Sequence, residues 1–467
     1  MKIAFCSAEV APFSQAGGLG DVIGSLPRAI AEQQDTQVVI ITPLYGLVDT
    51  AAHGLEKTDI AFDIHFHGKK YPISIWQGVL PRSDVPVYFV DNFDLFGARK
   101  QVYPYGQPEW ELEGFLVFNQ AVFELLRRVH YRPDVLHVHD WHTGSIATTL
   151  AEIRPYDQYF SRTKSVLTIH NLHYQGLYGD INWLKEGILK ADAITTVSPT
   201  YAQEIQTPEF GAGMDAVIRE VSGKVSGILN GIDTTLYNPE TDAFITAHYN
   251  RGNFADGKGK NKEALQVEMG LPIDPQAPLL GFIGRLADQK GLDLILPTMK
   301  AMEAEGHNCQ WVLLGTGDPK MEEALKALNA QARNIRSFIG FNTAMAQKIY
   351  AASDMFVMPS AFEPCGLGQL ISLRYGTVPI VRGVGGLVDT ITDVRNQPHR
   401  GNGFKFAEYS AAKLKENVLA AVEYYHNNPL WSELVIRGME ADHSWKPSAE
   451  AYKVLYQRLA NPAPVSA

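Results

Sequence analysis

Short apolar runs alternate with helix-like segments along the whole chain. The runs in the first half are KIAFCSA, TQVVIITP, VPVYFVD, DVLHVH, KSVLTIH and AITTVS, and those in the second half are PLLGFIG, QWVLLG, IRSFIGF, MFVMPS and TVPIVRG. Apolar, β-rich runs separated by helices are typical of parallel sheets that helices cover on both faces. The pattern therefore predicts an α/β protein built from doubly wound, Rossmann-like domains, with ligands at the C-terminal ends of the strands.

The chain has 467 residues, which is too long for one ordinary hydrophobic core, so two domains are expected. A connection rich in glycine, asparagine and charged residues follows residue 240 and favours a boundary there. We predict an N-terminal Rossmann-like domain over 1–240 and a C-terminal one over 241–446, facing each other across a deep cleft. Residues 447–467 are predicted to form a helix that packs back on the first domain, followed by a frayed tail.

Composition excludes several classes of protein. The net charge of −10 argues against a general nucleic-acid binder. Only three cysteines occur, far apart in the sequence, and they provide neither a disulfide framework nor a CxxC metal site. No apolar stretch reaches the roughly 18 residues that span a membrane, and Glu9 interrupts the short apolar run near the N-terminus. We therefore expect a cytoplasmic protein without a membrane or nucleic-acid partner.

The stretch SQAGGLGDV, residues 14–22, follows the first predicted strand. Glycine leaves room for a ligand against the main chain, and the next segment has helical spacing, so an anion could bind where the helix begins. A tight strand-to-helix turn explains the glycines equally well, since the dinucleotide pattern GxGxxG is absent. Both interpretations stay open for this stretch alone. Neutral Gln15 stands where a phosphate site would be expected to carry a cation.

Polar side chains follow several other predicted strands. Asp140, Trp141 and His142 follow DVLHVH, His170 and Asn171 follow KSVLTI, and Gly231 and Asp233 follow VSGILN. A polar group at the end of an apolar strand needs a bonding partner. A single histidine there is commonly structural, whereas polar residues at three strand ends together favour a functional site.

The second half carries the clearer chemical signal. GRLADQKG places Arg285 and Lys290 between a strand and a helix, and FEPCGLGQL places Glu363 just before a glycine-bearing helix start. Two cations in such a loop can bind a diphosphate, and a nearby carboxylate can hold sugar hydroxyls or stabilise a cationic transition state. The glycine-rich loop at residues 383–386 favours this ligand interpretation over a merely solvated loop.

Nine segments, spread in order over nearly the whole chain, carry a family resemblance. They are AGGLGDVIGSLP, VHDWHTG, TIHNLHYQG, VSPTYAQEI, ILNGID, NKEALQVEMGL, GRLADQKGLDLI, PSAFEPCGLGQL and RYGTVPIVRGVGGLVDT. The chain thereby resembles bacterial glycogen synthase and starch synthase, glycosyltransferase family 5. The resemblance implies a GT-B fold and the retaining transfer of glucose from ADP-glucose to the non-reducing end of an α-1,4-glucan. It implies no cofactor and no metal; oligomeric state is left open.

By this resemblance, Arg285 and Lys290 match the cations that stabilise the departing diphosphate, where electrostatic stabilisation is expected to be largest. Glu363 matches the essential glutamate of the family, and His170 matches the histidine beside the donor glucose. The other positions that the resemblance assigns to donor binding are Asn230, Phe341, Cys365, Gly366 and Leu367. In the glycine-rich loop, Gln15, Gly17, Gly18 and Asp21 are predicted to bind the donor because its diphosphate-glucose would pack on the backbone of the two glycines. The positions that the resemblance assigns to the glucan acceptor are Tyr103, Asp140, Trp141, His142 and Tyr174, and Asn171, at the end of the strand KSVLTI, is predicted to lie with them.

Three points stay open within the resemblance. Phe341 matches an aromatic residue against the nucleotide base, but a core phenylalanine at a strand end is an equal alternative. Gln15 replaces the usual lysine of a Lys-x-Gly-Gly loop, and Gly368 replaces a common hydroxyl residue, which leaves donor affinity and nucleotide preference open. The alternatives in function are a GT-B glucosyltransferase that uses UDP-glucose and a glucan-binding regulatory paralogue with little activity.

Overall fold

The computed structural model describes residues 1–103 and 108–461. The chain divides into two compact units, one formed by Met1–Gly231 with the segment that begins at Trp445, and the other by Ile232–Ser444. Residues 232–240, which the sequence analysis places in the first domain, belong to the second unit. The predicted frayed tail falls mainly on residues 462–467, which lie outside the described residues.

The first unit contains a large mixed sheet with helices around it. Its strands are β1 (Lys2–Cys6), β2 (Gln37–Pro43), β3 (Glu56–Phe66), β4 (Lys69–Val79), β5 (Pro86–Asp91), β6 (Val135–His139), β7 (Lys164–Ile169), β8 (Leu177–Tyr178), β9 (Ile181–Asn182), β10 (Ala193–Thr196) and β11 (Val225–Gly227). Its first helices are α1 (Gly18–Ile23), α2 (Leu26–Ala31), α3 (Pro108–Arg128), α4 (Asp140–Ile153), α5 (Trp183–Lys190), α6 (Pro199–Glu204) and α7 (Asp215–Glu220). A π-helical turn lies at Phe93–Gly97 and a 3₁₀ turn at Ser222–Lys224.

Nine of these strands form the large sheet in the order β11-β10-β7-β6-β1-β2-β5-β4-β3, and β8 and β9 form a separate two-stranded antiparallel sheet. All neighbouring pairs of the large sheet are parallel except β5 with β4 and β4 with β3, which are antiparallel. The sequence pattern did not predict β3 and β4, because neither strand is a continuous apolar run. In β3 buried residues such as Phe62 and Ile64 alternate with more exposed ones, as in an antiparallel sheet with one face in water.

The second unit contains a six-stranded sheet in which every pair is parallel. Its strands are β12 (Leu279–Ile283), β13 (Gln310–Gly315), β14 (Ile335–Ile339), β15 (Met355–Met358), β16 (Val378–Arg382) and β17 (Phe404–Phe406). Its helices are α8 (Phe254–Met269), α9 (Leu292–Ala304), α10 (Pro319–Gln331), α11 (Thr343–Ala352), α12 (Gly368–Arg374), α13 (Gly386–Thr390), α14 (Ala411–His426) and α15 (Asn428–Glu440). The order β14-β13-β12-β15-β16-β17 is the 3-2-1-4-5-6 order of dinucleotide-binding folds.

The last helix, α16 (Lys446–Ala460), belongs to the first unit. Tyr452 and Tyr456 on this helix are buried in the same hydrophobic cluster as Leu26 and Ile30 of α2. The Tyr456 hydroxyl also lies 2.6 Å from Nδ1 of His137, at the centre of the sheet. No helix within residues 1–103 and 108–461 has the length and apolar character needed to cross a membrane.

A buried ion pair connects α8 to the sheet of the second unit. Lys262 Nζ lies 2.7 Å from Asp354 Oδ2, and both side chains are almost completely buried. The same carboxylate oxygen accepts a hydrogen bond of 2.8 Å from the Leu279 N–H at the start of β12. The pair therefore joins the N-terminal ends of two central strands to the helix that precedes them.

Replacing Lys262 with methionine is expected to lower the free energy of unfolding by about 3–5 kcal/mol, because Asp354 then stays buried without a counter-charge. Lys260→Met on the same helix is the matched control, since Lys260 and Asp256 form an exposed ion pair. Exposed pairs of this kind contribute roughly 0–1 kcal/mol. Urea unfolding followed by tryptophan fluorescence measures both variants, and equal midpoints would contradict the stabilising role of the buried pair.

Candidate active site

Each sheet has one point where the strand order changes direction. In the first unit it lies between β1 and β6, and in the second between β12 and β15. Ligands of open α/β sheets bind outside the C-terminal ends of the strands at such points. The glycine-rich loop follows β1, Asp140–His142 follow β6, Arg285 and Lys290 follow β12, and Glu363 follows β15. The sequence-predicted residues thus occupy the expected loops of each unit.

Glu9 organises the loop that follows β1, and sequence reasoning missed this role. Its side chain is buried, and Oε2 accepts hydrogen bonds from the N–H groups of Ala16 at 2.6 Å and Gly17 at 2.8 Å. Oε1 accepts a hydrogen bond of 2.5 Å from the Tyr103 hydroxyl. The available signal was a charged residue inside an apolar run, a few residues before a glycine-rich loop. Buried carboxylates need such partners.

The glycines of this loop differ in whether the surrounding chain leaves room for a side chain. A Cβ at Gly20 would lie 2.8 Å from Cγ of Gln15, so packing within the loop requires that glycine. A Cβ at Gly17 would meet no atom within 4 Å, and its φ of −157° is extended backbone that any residue adopts. Gly17 and Gly18 are exposed. Neither space nor backbone conformation within the described chain therefore explains glycine at position 17.

Gln15 and Asp21 interact across the same loop. The Gln15 side chain forms a hydrogen bond with the Asp21 carboxyl group. Burial raises the pKa of Asp21 to about 6; the hydrogen bond from Gln15 opposes this rise and the negative charge of Glu9 adds to it. Gln15 thus donates a neutral hydrogen bond to a carboxyl group that titrates near physiological pH.

Asp140 joins the ends of β6 and β7. Its Oδ1 accepts hydrogen bonds from the N–H groups of His170 at 2.7 Å and Asn171 at 3.3 Å. Its φ is +53°, a left-handed conformation that aspartate tolerates better than most residues. Burial raises the pKa of Asp140 to about 7, although the two backbone hydrogen bonds lower it in part. The structure thereby brings together Asp140, His170 and Asn171, as the strand-end argument expects.

Aromatic rings collect beside Asp140 in the first unit. Tyr103 stacks on His142 with ring centroids 4.9 Å apart, and Trp141 lies 4.2 Å from His142. Phe115 of α3, which the sequence analysis did not select, makes edge contacts with Trp141 and His142. Burial lowers the pKa of His142 to about 3, so this imidazole is neutral. The Tyr174 side chain is exposed, and Gly176, two residues later, packs against the ring of Trp141.

Lys290 and Glu363 form an ion pair in the second unit. Lys290 Nζ lies 2.6 Å from Glu363 Oε2, and the Ser360 hydroxyl donates to the same oxygen at 3.0 Å. Glu363 is buried, whereas Lys290 keeps 22% of its side chain exposed. An exposed ammonium on a buried carboxylate can turn to a second anion without leaving the loop.

The loops after β12 and β15 contact each other directly. Gly291 has a φ of +77°, and a Cβ there would lie 2.4 Å from the carbonyl oxygen of Pro359. The Ala361 N–H donates to the Gln289 carbonyl at 2.9 Å, and Arg285 Nη2 donates to the Gln289 side chain at 2.5 Å. Arg285, Lys290 and Glu363 are therefore held in one loop cluster.

The segment Cys365–Leu367 turns between Glu363 and α12. Gly366 has a φ of +73°, which favours glycine. Gln369 Nε2 donates to the carbonyl oxygens of Cys365 and Gly366, and the Gly386 N–H donates to the Glu363 carbonyl. A Cβ at Gly368 would lie 2.8 Å from the Phe356 ring. Packing on this ring explains the departure from the family pattern at Gly368.

Two predicted donor residues lie elsewhere in their units. Phe341 follows β14, which β13 separates from β12, and its side chain is 85% exposed. The alternative of a core phenylalanine is therefore wrong. Asn230 is buried near the end of the first unit. Within the described part of the chain, no group of three or more histidine, cysteine, aspartate or glutamate residues is arranged to hold a metal ion.

Comparison with known proteins covers nearly the whole chain. The family model for the starch synthase catalytic domain matches residues 2–220, and that for glycosyl transferases group 1 matches residues 268–428. The glycogen synthase of Thermosipho melanesiensis is 42% identical over 98% of this chain and 99% of that protein. The glycogen synthase of Streptococcus uberis is 39% identical with the same shares of both chains covered.

Solved structures agree with this relationship. The catalytic domain of starch synthase IV from Arabidopsis thaliana, bound to ADP and acarbose, superposes with a TM-score of 0.90 at 32% identity and covers 98% of this chain and 99% of that one. Sucrose-phosphate synthase from Thermosynechococcus elongatus shares the fold, with a TM-score of 0.63 at 17% identity over 98% of both chains. The predicted GT-B fold class is confirmed. The chain belongs to the glycogen synthase and starch synthase family of glycosyltransferases.

Proposed function

We propose that this enzyme transfers glucose, with retention of configuration, from ADP-glucose to the non-reducing end of an α-1,4-glucan. The observation that carries the proposal is the Lys290–Glu363 ion pair, which lies with Arg285 in the loops at the strand-order change of the second sheet. The starch synthase structure that holds ADP and acarbose, a nucleotide and a glucan-like oligosaccharide, supports this choice of ligands. The cysteines Cys6, Cys309 and Cys365 are free thiols, which supports a reducing, cytoplasmic location.

In the proposed reaction, the bond between C1 of glucose and the diphosphate oxygen breaks, C1 bonds to the 4-hydroxyl oxygen of the terminal glucan residue, and the proton of that hydroxyl passes to the departing diphosphate. The departing ADP gains negative charge in the transition state. Lys290 and Arg285 carry the positive charges that stabilise it, and no metal ion is required for this role. Glu363 is buried and fixed by Lys290 and Ser360, so its carboxylate can hold sugar hydroxyls and stabilise positive charge on the glucosyl ring.

The aromatic cluster of the first unit is assigned to the glucan. Tyr103 and Trp141 are partly exposed and contact the ring of the buried His142, and Phe115 packs against Trp141. Partly exposed aromatic rings suit the apolar faces of sugar rings, and His142 supports them. Asp140 fixes the loop that carries His170. His170 is assigned to the donor glucose, and Asn171 and Tyr174 are assigned to the glucan.

The glycine-rich loop is assigned to the donor. Since nothing within the described chain requires glycine at position 17, a ligand that approaches the backbone closely explains the residue better than a turn does. Gly18 follows at the start of α1, and Asp21 holds the loop through Gln15. A turn without a ligand would accept a side chain at Gly17 without loss of activity.

Glucose incorporation into glycogen is expected to be at least several-fold faster with ADP-glucose than with UDP-glucose. It is also expected to persist in EDTA, because Arg285 and Lys290 stabilise the negative charge of the leaving group. A radiolabel assay with both donors, with and without EDTA, measures this. Preference for UDP-glucose would overturn the donor assignment. Complete loss of activity in EDTA, restored by Mg²⁺ or Mn²⁺, would overturn the metal-free role.

Glu363→Gln keeps the size of the side chain and one oxygen that can accept from Lys290 and Ser360, but it removes the charge. We expect kcat to fall by a factor on the order of 10² or more, as for the loss of one preorganised electrostatic group. Lys348→Met is the matched control, since it removes an ion pair with Glu268 on the surface of the same unit, and its kcat should be unchanged. A near-normal kcat for Glu363→Gln would remove Glu363 from the mechanism.

Gly17→Val is expected to raise the KM for the donor or lower kcat by at least tenfold while the melting temperature stays within about 2 °C. The Cβ of the new side chain meets no described atom of the enzyme within 4 Å, whereas the side chain would obstruct the proposed ligand. Gly223→Val is the control, since a Cβ there also meets nothing within 4 Å. Gly223 lies in the 3₁₀ turn that precedes β11, whereas the glycine-rich loop follows β1, so the two residues lie at opposite ends of the parallel strands. Steady-state kinetics and thermal unfolding measure both variants. Full activity of Gly17→Val would show that the loop is only a turn.

A further inference from the structure

His139 and His170 form a hydrogen-bonded pair of imidazoles in the first unit. Nδ1 of His139 lies 3.0 Å from Nε2 of His170, and the ring planes meet at 47°. His139 is completely buried, and Phe5 stacks nearly parallel on its ring. The second nitrogen of His139, Nε2, is buried and has no hydrogen-bond partner within residues 1–103 and 108–461.

Both imidazoles are neutral at physiological pH. Burial lowers the pKa of His170 to about 3, and burial together with the neighbouring histidines lowers the pKa of His139 well below its usual range. A neutral imidazole has one N–H donor and one nitrogen acceptor. The bond between the two rings therefore contains a single proton, and two arrangements satisfy its geometry.

The partnerless nitrogen of His139 distinguishes these arrangements. If His170 donated through Nε2, then Nδ1 of His139 would accept, and Nε2 of His139 would carry a buried N–H group without an acceptor. Buried N–H groups without a partner are rarer in proteins than under-satisfied acceptors. The ring of Phe5 stacks on the face of His139, so it offers no π surface to an N–H group at the ring edge. In the other arrangement His139 donates from Nδ1, and its buried Nε2 then carries only a lone pair.

We propose that His139 donates from Nδ1 to Nε2 of His170 and thereby holds His170 as the tautomer that carries its proton on Nδ1. His139 is then a positioning residue, and the inference rests on the function proposed above, in which His170 contacts the donor glucose. Nδ1 of His170, which no group of the described ranges bonds, presents an N–H donor to a sugar oxygen. Because the ring is neutral, it does not repel positive charge that develops on the glucosyl ring.

The neighbouring His137 provides a contrast. Its Nε2 lies 2.6 Å from the Thr168 hydroxyl, and its Nδ1 lies 2.6 Å from the Tyr456 hydroxyl. Both nitrogens are bonded, as expected for a structural histidine in the centre of a sheet. The ring centroid of His139 lies 4.3 Å from that of His137. Among the described residues, however, only Nδ1 of His139 has a hydrogen-bond partner, which is His170.

The tautomer is tested directly by ¹⁵N NMR of the full chain labelled at histidine, with His170→Gln used to assign the signals. We expect Nδ1 of His170 to show the chemical shift of a protonated ring nitrogen and Nε2 that of an unprotonated one. The opposite pattern would overturn the proposal. This measurement needs no activity, so its outcome is independent of whether the donor and acceptor proposed above are correct.

The role of His139 is tested by a pair of substitutions of similar size. His139→Asn can place an amide N–H close to the position of Nδ1, whereas His139→Leu cannot donate. We expect His139→Leu to reverse the His170 tautomer and lower kcat by ten- to a hundredfold with KM for the glucan changed less than threefold. His139→Asn should keep the tautomer and recover most of kcat.

Tyr456→Phe is the control, because it perturbs the buried His137 without contact to His170 in the described chain. In this variant, the His170 tautomer and kcat should match those of the unmodified enzyme. Equal losses of kcat in the leucine and asparagine variants, or an unchanged His170 tautomer in the leucine variant, would show that His139 is only a packing residue and would overturn the proposal.

Discussion

Buried carboxylates that accept backbone hydrogen bonds hold the strand-end loops of this chain. Loops that leave a parallel strand have N–H groups without a strand partner, and these groups need an acceptor when they are buried. Glu9 accepts from Ala16 and Gly17, and Asp140 accepts from His170 and Asn171. Since each carboxylate fixes a loop that carries proposed site residues, the geometry of the site depends on these bonds.

The two units differ in the charge that they place at their sites. In the first unit the carboxyl groups of Glu9, Asp21 and Asp140 interact, and Glu9 contributes to the raised pKa values of the other two. The buried histidines beside them are neutral. In the second unit Arg285 and Lys290 accompany a single glutamate. The carboxyl groups of the first unit can accept hydrogen bonds from the hydroxyls of a sugar, and the cations of the second unit can bind a diphosphate.

Much of the fold follows from the sequence because a parallel strand buried on both faces leaves a continuous apolar run. The runs at β1, β6, β12 and β15 identify the central strands, and the polar residues that follow them identify the site loops. The hairpin of β3 and β4 was missed because only one face of it is buried.

Glu9, Phe115 and His139 were not selected as site residues for a different reason. Each acts through a neighbour: Glu9 through backbone N–H groups, Phe115 through two aromatic rings and His139 through His170. A linear sequence shows the residue types but not these contacts. The nitrogen of His139 that lacks a partner is visible only in three dimensions, since it depends on burial by residues far apart in the chain.

Gln15 stands where the family resemblance implies a lysine, and Asp21 offsets the missing positive charge only when it binds a proton. A lysine at position 15 would hold Asp21 in its ionised form, and the two side chains together would have no net charge. Gln15 is neutral, and burial raises the pKa of Asp21 to about 6, with the hydrogen bond from Gln15 opposing the rise. When Asp21 binds a proton, the pair again has no net charge. Below about pH 6 the pair of Gln15 and Asp21 therefore carries no net charge. Above about pH 6 Asp21 is mostly ionised and Gln15 does not offset its charge, so the proposed donor diphosphate is expected to bind more weakly as the pH rises through this value.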